Sequence, residues 1–383
     1  RVRFFPLIDN VERGVSLFSG GVIHIVDHAD DRCHNENNAK RGKISPFQFF
    51  AILTVSRIVV SLTYIQSVTV GIMSFDIALG LIFAAFFTMI LSIPAYYCVV
   101  KNKNPLDNRW VALLYLLYFS YFCGVNVSRF AYFAISRLDT KISVPILCVA
   151  IVVLGVYCAC LKIEGIARFG SLCAVTLFIA IVGAALLNFN KIEVENFYPL
   201  IRNSRFAILN NTLLFTSNSV EPAIIIALGS KVNGNILKPI CAAVFTSFSA
   251  IVVLVLLAVG IMGHGALLQS FPFFTVFQLA ELGSMARLDM LHTCFWALAL
   301  LVKTAVLIYC GSCCLKGAKR NNACIVSGII AAAVAVFVTA VVGMAMVEIT
   351  KIVSRVCFAV FAVLIPLATL MIKRRKKREA QII

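Results

Sequence analysis

Long apolar stretches, separated by short polar segments, make up most of the chain. Because a helix needs about 20 apolar residues to cross a bilayer, each such stretch predicts a membrane-spanning helix. We count about ten, at residues 46–71, 75–99, 110–136, 142–160, 165–188, 207–228, 238–262, 288–312, 322–346 and 352–372. The pattern predicts an all-α, polytopic membrane domain over 44–372, flanked by a polar tail at 1–43 and a basic tail at 373–383.

Two of these spans carry polar residues in their middle. The first contains Ser56, Arg57, Ser61 and Thr63, and the sixth reads Phe215-Thr-Ser-Asn-Ser-Val-Glu-Pro222. Small hydroxyl residues satisfy backbone groups freed by local unwinding, and proline interrupts a helix. The two spans start about 160 residues apart, at matching positions of two five-helix halves, and run in opposite directions. We therefore predict a five-plus-five inverted repeat with broken helices one and six, as in secondary transporters. Helix packing through Ser and Thr is the alternative.

Composition and charge support a membrane protein. Hydrophobic residues make up 61% of the chain and charged residues 13%, whereas soluble domains carry about 25% charged residues. This excludes an ordinary soluble enzyme and a disordered interaction protein. The net charge of +17 would suit a nucleic-acid binder. With a cytoplasmic amino terminus, however, twenty Lys and Arg flank the inner ends of the spans and eight the outer ends.

This charge bias predicts that both termini are cytoplasmic, in a multi-pass protein whose partner is the lipid bilayer and not nucleic acid. The run Lys373–Arg378 is interpreted as a flank attracted to anionic lipid, with a nucleic-acid patch as the less favoured alternative. Residues 1–43 are interpreted as a solvated tail, with a fragment or a mis-assigned start as a further interpretation because the first methionine is Met73. We see no signal peptide there.

Cysteine and histidine suggest no metal, cofactor or catalytic chemistry. Most of the 14 cysteines lie inside apolar runs, where cysteine acts as a small hydrophobe. Cys310, Cys313 and Cys314 lack the second ligand pair of a zinc site. No catalytic triad, phosphate loop or metalloprotease motif is present, so we predict no enzyme. His264 and His292 are expected at the outer membrane interface.

Four ionisable residues fall within the spans: Arg57, Arg129, Glu221 and Lys303. Such groups are costly in a membrane and are usually paired or face a cavity. We predict that Glu221 pairs with Arg57 or Lys303, because an opposite charge acts mainly within about 4–6 Å. Arg129 either belongs to the buried set or lies near the outer interface.

Short motifs in order along 44–372 point to a family. They are Ile44-Ser-Pro-Phe-Gln48, Ile163-Glu-Gly-Ile-Ala-Arg168, Asn196-Phe-Tyr-Pro-Leu200, Glu221 in span six, and Pro272–Ala280 followed by Arg287-Leu-Asp289 and Trp296. In this order the chain resembles the endospore germination permease family, the B-subunit type of germinant receptor, within the amino acid–polyamine–organocation superfamily. Many members have glycines in the helix-one break, whereas residues 54–63 contain none.

The resemblance implies a spore inner-membrane protein that binds a small nutrient, often an amino acid, and signals to partner A and C subunits. The amino-acid carboxylate would lie at the helix-one break near Ser61 and Thr63, and its ammonium near Thr216, Ser217 and Asn218. Helix three would line the site through Ser120 and Gly124, and helix eight through Trp296. The candidate site also includes Ser56, Arg57, Glu221 and Lys303. A secondary active amino-acid transporter and a ligand-free membrane scaffold are the alternative functions.

Overall fold

The structure, a computed structural model, describes residues 43–62, 74–138, 142–201, 204–280, 289–342 and 346–379. The chain divides into two units, Arg1–Lys43 and Ile44–Ile383, and all described residues other than Lys43 lie in the second. The predicted tail at 1–43, apart from Lys43, and the candidate residue Thr63 therefore lie outside the described residues.

Thirteen α-helices form the described part of the chain. They are α1 (Pro46–Val60), α2 (Phe75–Val100), α3 (Arg109–Leu138), α4 (Val144–Cys160), α5 (Lys162–Leu187), α6 (Arg205–Ser217), α7 (Glu221–Leu228), α8 (Leu237–Met262), α9 (Pro272–Leu279), α10 (Asp289–Cys314), α11 (Arg320–Phe337), α12 (Met346–Cys357) and α13 (Ile365–Glu379). Two π-helical segments, Val338–Val342 and Phe358–Leu364, follow α11 and join α12 to α13.

The helices account for the predicted membrane spans. Eight helical segments in the described ranges are long and apolar enough to cross a membrane, and two shorter apolar helices, Pro46–Val60 and Val144–Cys160, correspond to predicted spans one and four. Span six is divided into α6 and α7. The break in span one is predicted at residues 54–63. Helix α1 is continuous through Val60, and Thr63 and the residues that follow it, up to 73, lie outside the described residues. The all-α polytopic architecture is thus confirmed.

The start of α1 is fixed by its own sequence and by a distant segment. The Ser45 hydroxyl accepts a hydrogen bond from the Gln48 backbone, and the Gln48 side chain accepts one from the Ser45 backbone, which is a capping box. Ile44 pairs with the backbone after α7, because its N–H donates to the Lys231 carbonyl at 2.9 Å and its carbonyl accepts from Asn233. The beginning of α1 is therefore held next to the end of α7.

Helices α1 and α7 form the centre of the bundle. Every residue from Ala51 to Val60 and from Glu221 to Leu228 is buried. Helices α2, α8 and α10 pack against this pair, and α10 also contacts α3, α4, α5 and α11. Large apolar side chains on the outer faces remain exposed, such as Phe86 on α2 and Ile179 on α5. In a membrane-spanning bundle these faces contact lipid.

Candidate functional site

Span six is broken between Ser217 and Glu221. The N–H groups of Asn218 and Ser219 both donate to the Thr216 carbonyl. These short-range bonds satisfy the carbonyl and end α6. Pro222 then stands in the first turn of α7, where its missing N–H costs no helical hydrogen bond. The predicted break in span six is confirmed, and it leaves two helix ends facing each other inside the bundle.

Arg57 of α1 fills this break. Its Nη2 donates to the Phe215 carbonyl at 2.6 Å, and its Nη1 donates to the Ser219 hydroxyl at 2.9 Å. Its guanidinium also lies 4.2 Å from the centre of the Phe248 ring on α8, at cation–π distance. The arginine is 2% exposed. A cation at the carboxyl end of α6 is favourable, because unsatisfied carbonyls give that end a partial negative charge.

Glu221 supplies the opposite charge at the other helix end. Its Oε2 lies 3.9 Å from Arg57 Nη1, and its Oε1 accepts a hydrogen bond of 3.4 Å from the Ser56 hydroxyl. A carboxylate in the first turn of α7 complements the partial positive charge of that helix end. The predicted pairing of Glu221 with a buried basic residue is confirmed.

Lys303 of α10 joins the same group through the backbone of α1. Its Nζ donates to the Ser56 carbonyl at 2.9 Å, and the residue is fully buried. Lys303 interacts electrostatically with both Glu221 and Arg57. Helices α1, α7 and α10 are thus linked at mid-span by three ionisable groups, which we call the charged cluster: Arg57, Glu221 and Lys303.

Several buried polar groups in the described part of the chain lack hydrogen-bond partners. Within the described residues, the oxygens of Tyr118, Ser120 and Thr216 make no hydrogen bond, and neither do Arg57 Nε and Glu221 Oε2. Tyr118 interacts electrostatically with Glu221, and Thr216 adjoins the Phe215 carbonyl that Arg57 binds. Because most buried polar atoms in native proteins are satisfied, unpartnered groups beside the buried charges make this break a candidate ligand site.

Two sequence-predicted residues lie elsewhere in the fold. A side-chain carbon on Gly124 would come within 2.8 Å of the Ala335 nitrogen on α11, so this glycine serves close packing of α3 on α11. Its assignment to the ligand site stays a prediction. Trp296 lies seven residues before Lys303, about 10 Å along α10, and its ring packs on Phe130 and Phe133.

Other predicted residues lie at the break but use their polar groups locally. The Ser61 hydroxyl donates to the Ile58 carbonyl and the Ser217 hydroxyl to the Leu214 carbonyl, each within its own helix. Asn218 is buried at the break. Arg129 is 7% exposed and so belongs to the interior. The structure thus brings together Ser56, Arg57, Thr216, Glu221 and Lys303 of the predicted set.

His292 is predicted at the outer membrane interface, and that position stays a prediction. Within the bundle the residue is buried: it is 3% exposed and lies 4.7 Å from the Phe277 ring of α9, centre to centre. The sequence around Pro272 contains no sign that α9 would cover α10. Three contributors to the site were also missed: Thr88, whose hydroxyl lies 3.4 Å from that of Ser219, together with Ser219 and Phe248. Ser219 stands in the polar run of span six, whereas Thr88 and Phe248 carry no signal in sequence.

A bundle of membrane-spanning helices with one helix broken at buried ionisable groups is the architecture of a secondary transporter. The chain belongs to the spore permease family, described as spore germination protein, whose model matches residues 43–341. A search of curated proteins finds no match to this sequence.

Solved structures with a similar fold are transporters. A nucleobase-cation-symport-1 family transporter, Mhp1, in a closed conformation with bromovinylhydantoin bound, is 13% identical with a TM-score of 0.62, over 87% of this chain and 80% of that one. MhsT in complex with L-phenylalanine is 14% identical with a TM-score of 0.59, and the match covers 87% of this chain and 89% of MhsT. A Na⁺-coupled sialic acid symporter is 12% identical with a TM-score of 0.57, over 84% and 79%. The likeness establishes a shared fold, and both family and fold are those of permeases.

Proposed function

We propose that this protein is the nutrient-binding B subunit of a spore germinant receptor, which senses its ligand at the charged cluster and triggers germination through partner subunits. The observation that carries the proposal is the break between α6 and α7, where Arg57 and Glu221 meet among unpartnered hydroxyls. Membership of the spore germination family supports the physiological role.

The proposed ligand is a small nutrient, with an amino acid as the first class to test. MhsT, which has a similar fold, binds L-phenylalanine in its solved complex. In the present chain, Thr216 and Ser120 offer buried hydroxyls without partners, and Tyr118 offers a third. Thr63, Ser61 and Asn218 remain proposed ligand residues from the family resemblance.

Signalling is proposed to follow from the way the cluster links separate helices. Arg57 connects α1 to both sides of the helix-six break, and Lys303 connects α1 to α10. A ligand that binds one arrangement of these contacts more tightly would shift the bundle toward it. The proposed readers of that shift are the A and C subunits of the receptor, in the spore inner membrane with both termini of this chain cytoplasmic.

Ligand-induced thermal stabilisation of the full chain in lipid nanodiscs tests the proposal. We expect at least one amino acid or related small carboxylate to raise the melting temperature, because ligands that bind only the native state stabilise it. Thr216→Ala is expected to weaken this shift, and Thr176→Ala, which removes a hydroxyl bonded within α5, is expected to leave it unchanged. If no member of the panel stabilises the protein, the proposal is wrong.

A secondary amino-acid transporter is the second candidate, favoured by the fold of the three solved transporters. Uptake of a stabilising, radiolabelled ligand into proteoliposomes containing this chain alone would support transport. Stabilisation without uptake would support the sensor. A ligand-free scaffold predicts that spores carrying Thr216→Ala or Glu221→Ala germinate as the parent does.

A further inference from the structure

The charged cluster contains more positive than negative charge. Arg57 and Lys303 are basic residues, and Glu221 is the acidic residue beside them. With all three groups ionised, the cluster carries one uncompensated positive charge. Because isolated charge is costly in a protein interior, a bound anion would stabilise the ionised form of the cluster.

The hydrogen-bond donors of the charged cluster also favour an anion. A lysine ammonium has three N–H donors and an arginine guanidinium has five. Within the described residues, Lys303 Nζ makes one hydrogen bond, to the Ser56 carbonyl, and Arg57 Nε makes none. The Tyr118 and Thr216 hydroxyls add further donors without partners. Glu221 Oε2 is an acceptor of the cluster that also makes no hydrogen bond. The donors without partners outnumber it, and a carboxylate supplies two further acceptor oxygens.

The acceptors at the break, in contrast, already face the arginine of the protein or other groups. The Phe215 carbonyl, freed by the helix break, accepts from Arg57. The Thr216 carbonyl accepts from the N–H groups of Asn218 and Ser219. Glu221 Oε1 accepts from the Ser56 hydroxyl, whereas Oε2 makes no hydrogen bond and lies 3.9 Å from Arg57 Nη1. An ammonium that bound Oε2 would therefore lie close to the Arg57 guanidinium, and the two like charges would repel each other.

We propose that the ligand of the charged cluster is a small carboxylate of net charge −1, such as an acidic amino acid or a hydroxy acid, seated against Lys303 and the Nε side of Arg57. This inference rests on the proposed function and narrows its ligand class. It disfavours a neutral amino-acid zwitterion, which brings as much positive as negative charge into the cluster.

The test measures ligand affinity of the full chain in nanodiscs, in chloride-free sulfate buffer, with L-aspartate, L-lactate and L-alanine as probes. We expect L-aspartate or L-lactate to bind at least about tenfold more tightly than L-alanine, since a hydrogen bond to a charged group contributes that much or more. Lys303→Met should lower the affinity for the anion by a similar factor. Glu221→Gln should raise it, because it removes the competing negative charge.

Opposite effects of Lys303→Met and Glu221→Gln on one anion are a signature that loss of folding alone would not produce. Lys303→Arg, which keeps the charge, is the conservative control and should retain the preference for anions. Thr176→Ala on α5 is the remote control and should bind like the parent.

Three results would overturn the inference. Tighter binding of L-alanine than of either anion, unaffected by Lys303→Met, would contradict it and leave the proposed function standing. Stabilisation by chloride alone, lost in Lys303→Met, would assign the cluster to an inorganic anion. Absence of binding by every probe and by the wider amino-acid panel would overturn both the inference and the proposed function.

Discussion

At the residue scale, Arg57 is the side chain on which most contacts at the break converge. Its guanidinium binds the Phe215 carbonyl and the Ser219 hydroxyl, faces Glu221, and lies over Phe248. A buried pair of this kind adds little net stability compared with an apolar pair, but removal of one partner leaves an uncompensated charge. The loss of stability on removing Arg57 is therefore expected to exceed the net stability that the intact pair contributes.

Arg57→Met is predicted to destabilise the protein by about 3–5 kcal/mol, because Glu221 loses its facing cation and the Phe215 carbonyl loses its donor. The measurement is the free energy of unfolding in mixed micelles. The control is Lys351→Met, which breaks the exposed pair with Glu348 and should cost no more than about 1 kcal/mol. Equal costs for the two variants would show that burial of the Arg57 pair has no energetic consequence.

The stability of the ligand-free Lys303→Met variant tests whether the charged cluster contains an excess of positive charge. Burial of the Lys303 amine is costly. Replacing it by an apolar chain of similar length is therefore predicted to leave the ligand-free protein as stable as the parent, or more stable, despite the lost bond to the Ser56 carbonyl. Melting temperatures of the two proteins in the same nanodiscs provide the comparison. A large loss of stability would mean that the lysine is compensated in the native state.

At the element scale, close approach of helices depends on residues that have little effect on the local hydrophobic pattern. Gly124 permits α3 to touch α11, because a side-chain carbon added at this position would lie within 2.9 Å of the Ala335 nitrogen and the Val334 side chain. Ser128 reinforces the same contact by donating to the Ala335 carbonyl at 3.0 Å. Small residues commonly serve this purpose between membrane helices.

Gly124→Ala is predicted to destabilise the bundle by about 1–3 kcal/mol, because the added methyl group collides with the α11 backbone. The control is Gly183→Ala in α5, where no atom lies within 4 Å of the added carbon. That change should stabilise by up to about 1 kcal/mol through helix propensity. Thermal unfolding of both variants checks the difference, and equal melting temperatures would refute close packing at Gly124.

Some features of the helices and their contacts could be predicted from the sequence and others could not. The break in span six could be predicted because Pro222 and the polar run Thr216–Ser219 weaken a continuous helix, and the Arg57–Glu221 pair because buried charges need partners. Other contacts depend on how each helix is rotated about its axis and which neighbour it meets. Examples are the contact of Gly124 with α11, the packing of Trp296 on Phe133 and the burial of His292 under α9. A helix that is apolar on all sides gives no sequence pattern from which its rotation could be predicted.

At the scale of the whole molecule, the positive charge has two separate roles. Most of the 34 Lys and Arg residues lie outside the apolar spans, where their uneven distribution predicts topology. Arg57 and Lys303 instead lie in the interior, at the junction of the broken helix with α1 and α10. The net charge of the chain therefore says little about its ligand, whereas these two residues define the proposed site.

Both termini are predicted to be cytoplasmic. The test fuses a reporter protein to Ile383 or to the amino terminus and expresses the chain in a bacterial host. Green fluorescent protein, which fluoresces in the cytoplasm, should be fluorescent at both positions, and alkaline phosphatase, which is active only in the periplasm, should be inactive at both. A fusion truncated after Leu268, in the segment between α8 and α9, should give the opposite pattern. A phosphatase-active fusion at Ile383 would contradict the predicted orientation.

The central claim is that a small carboxylate nutrient binds at the helix-six break. It is tested most directly by the ligand-induced shift in melting temperature of the full chain in nanodiscs, measured for the parent, Thr216→Ala and Thr176→Ala with the same panel. The account predicts a shift in the parent that is retained in Thr176→Ala and reduced in Thr216→Ala. A shift of equal size in all three proteins would place the ligand elsewhere and contradict the account.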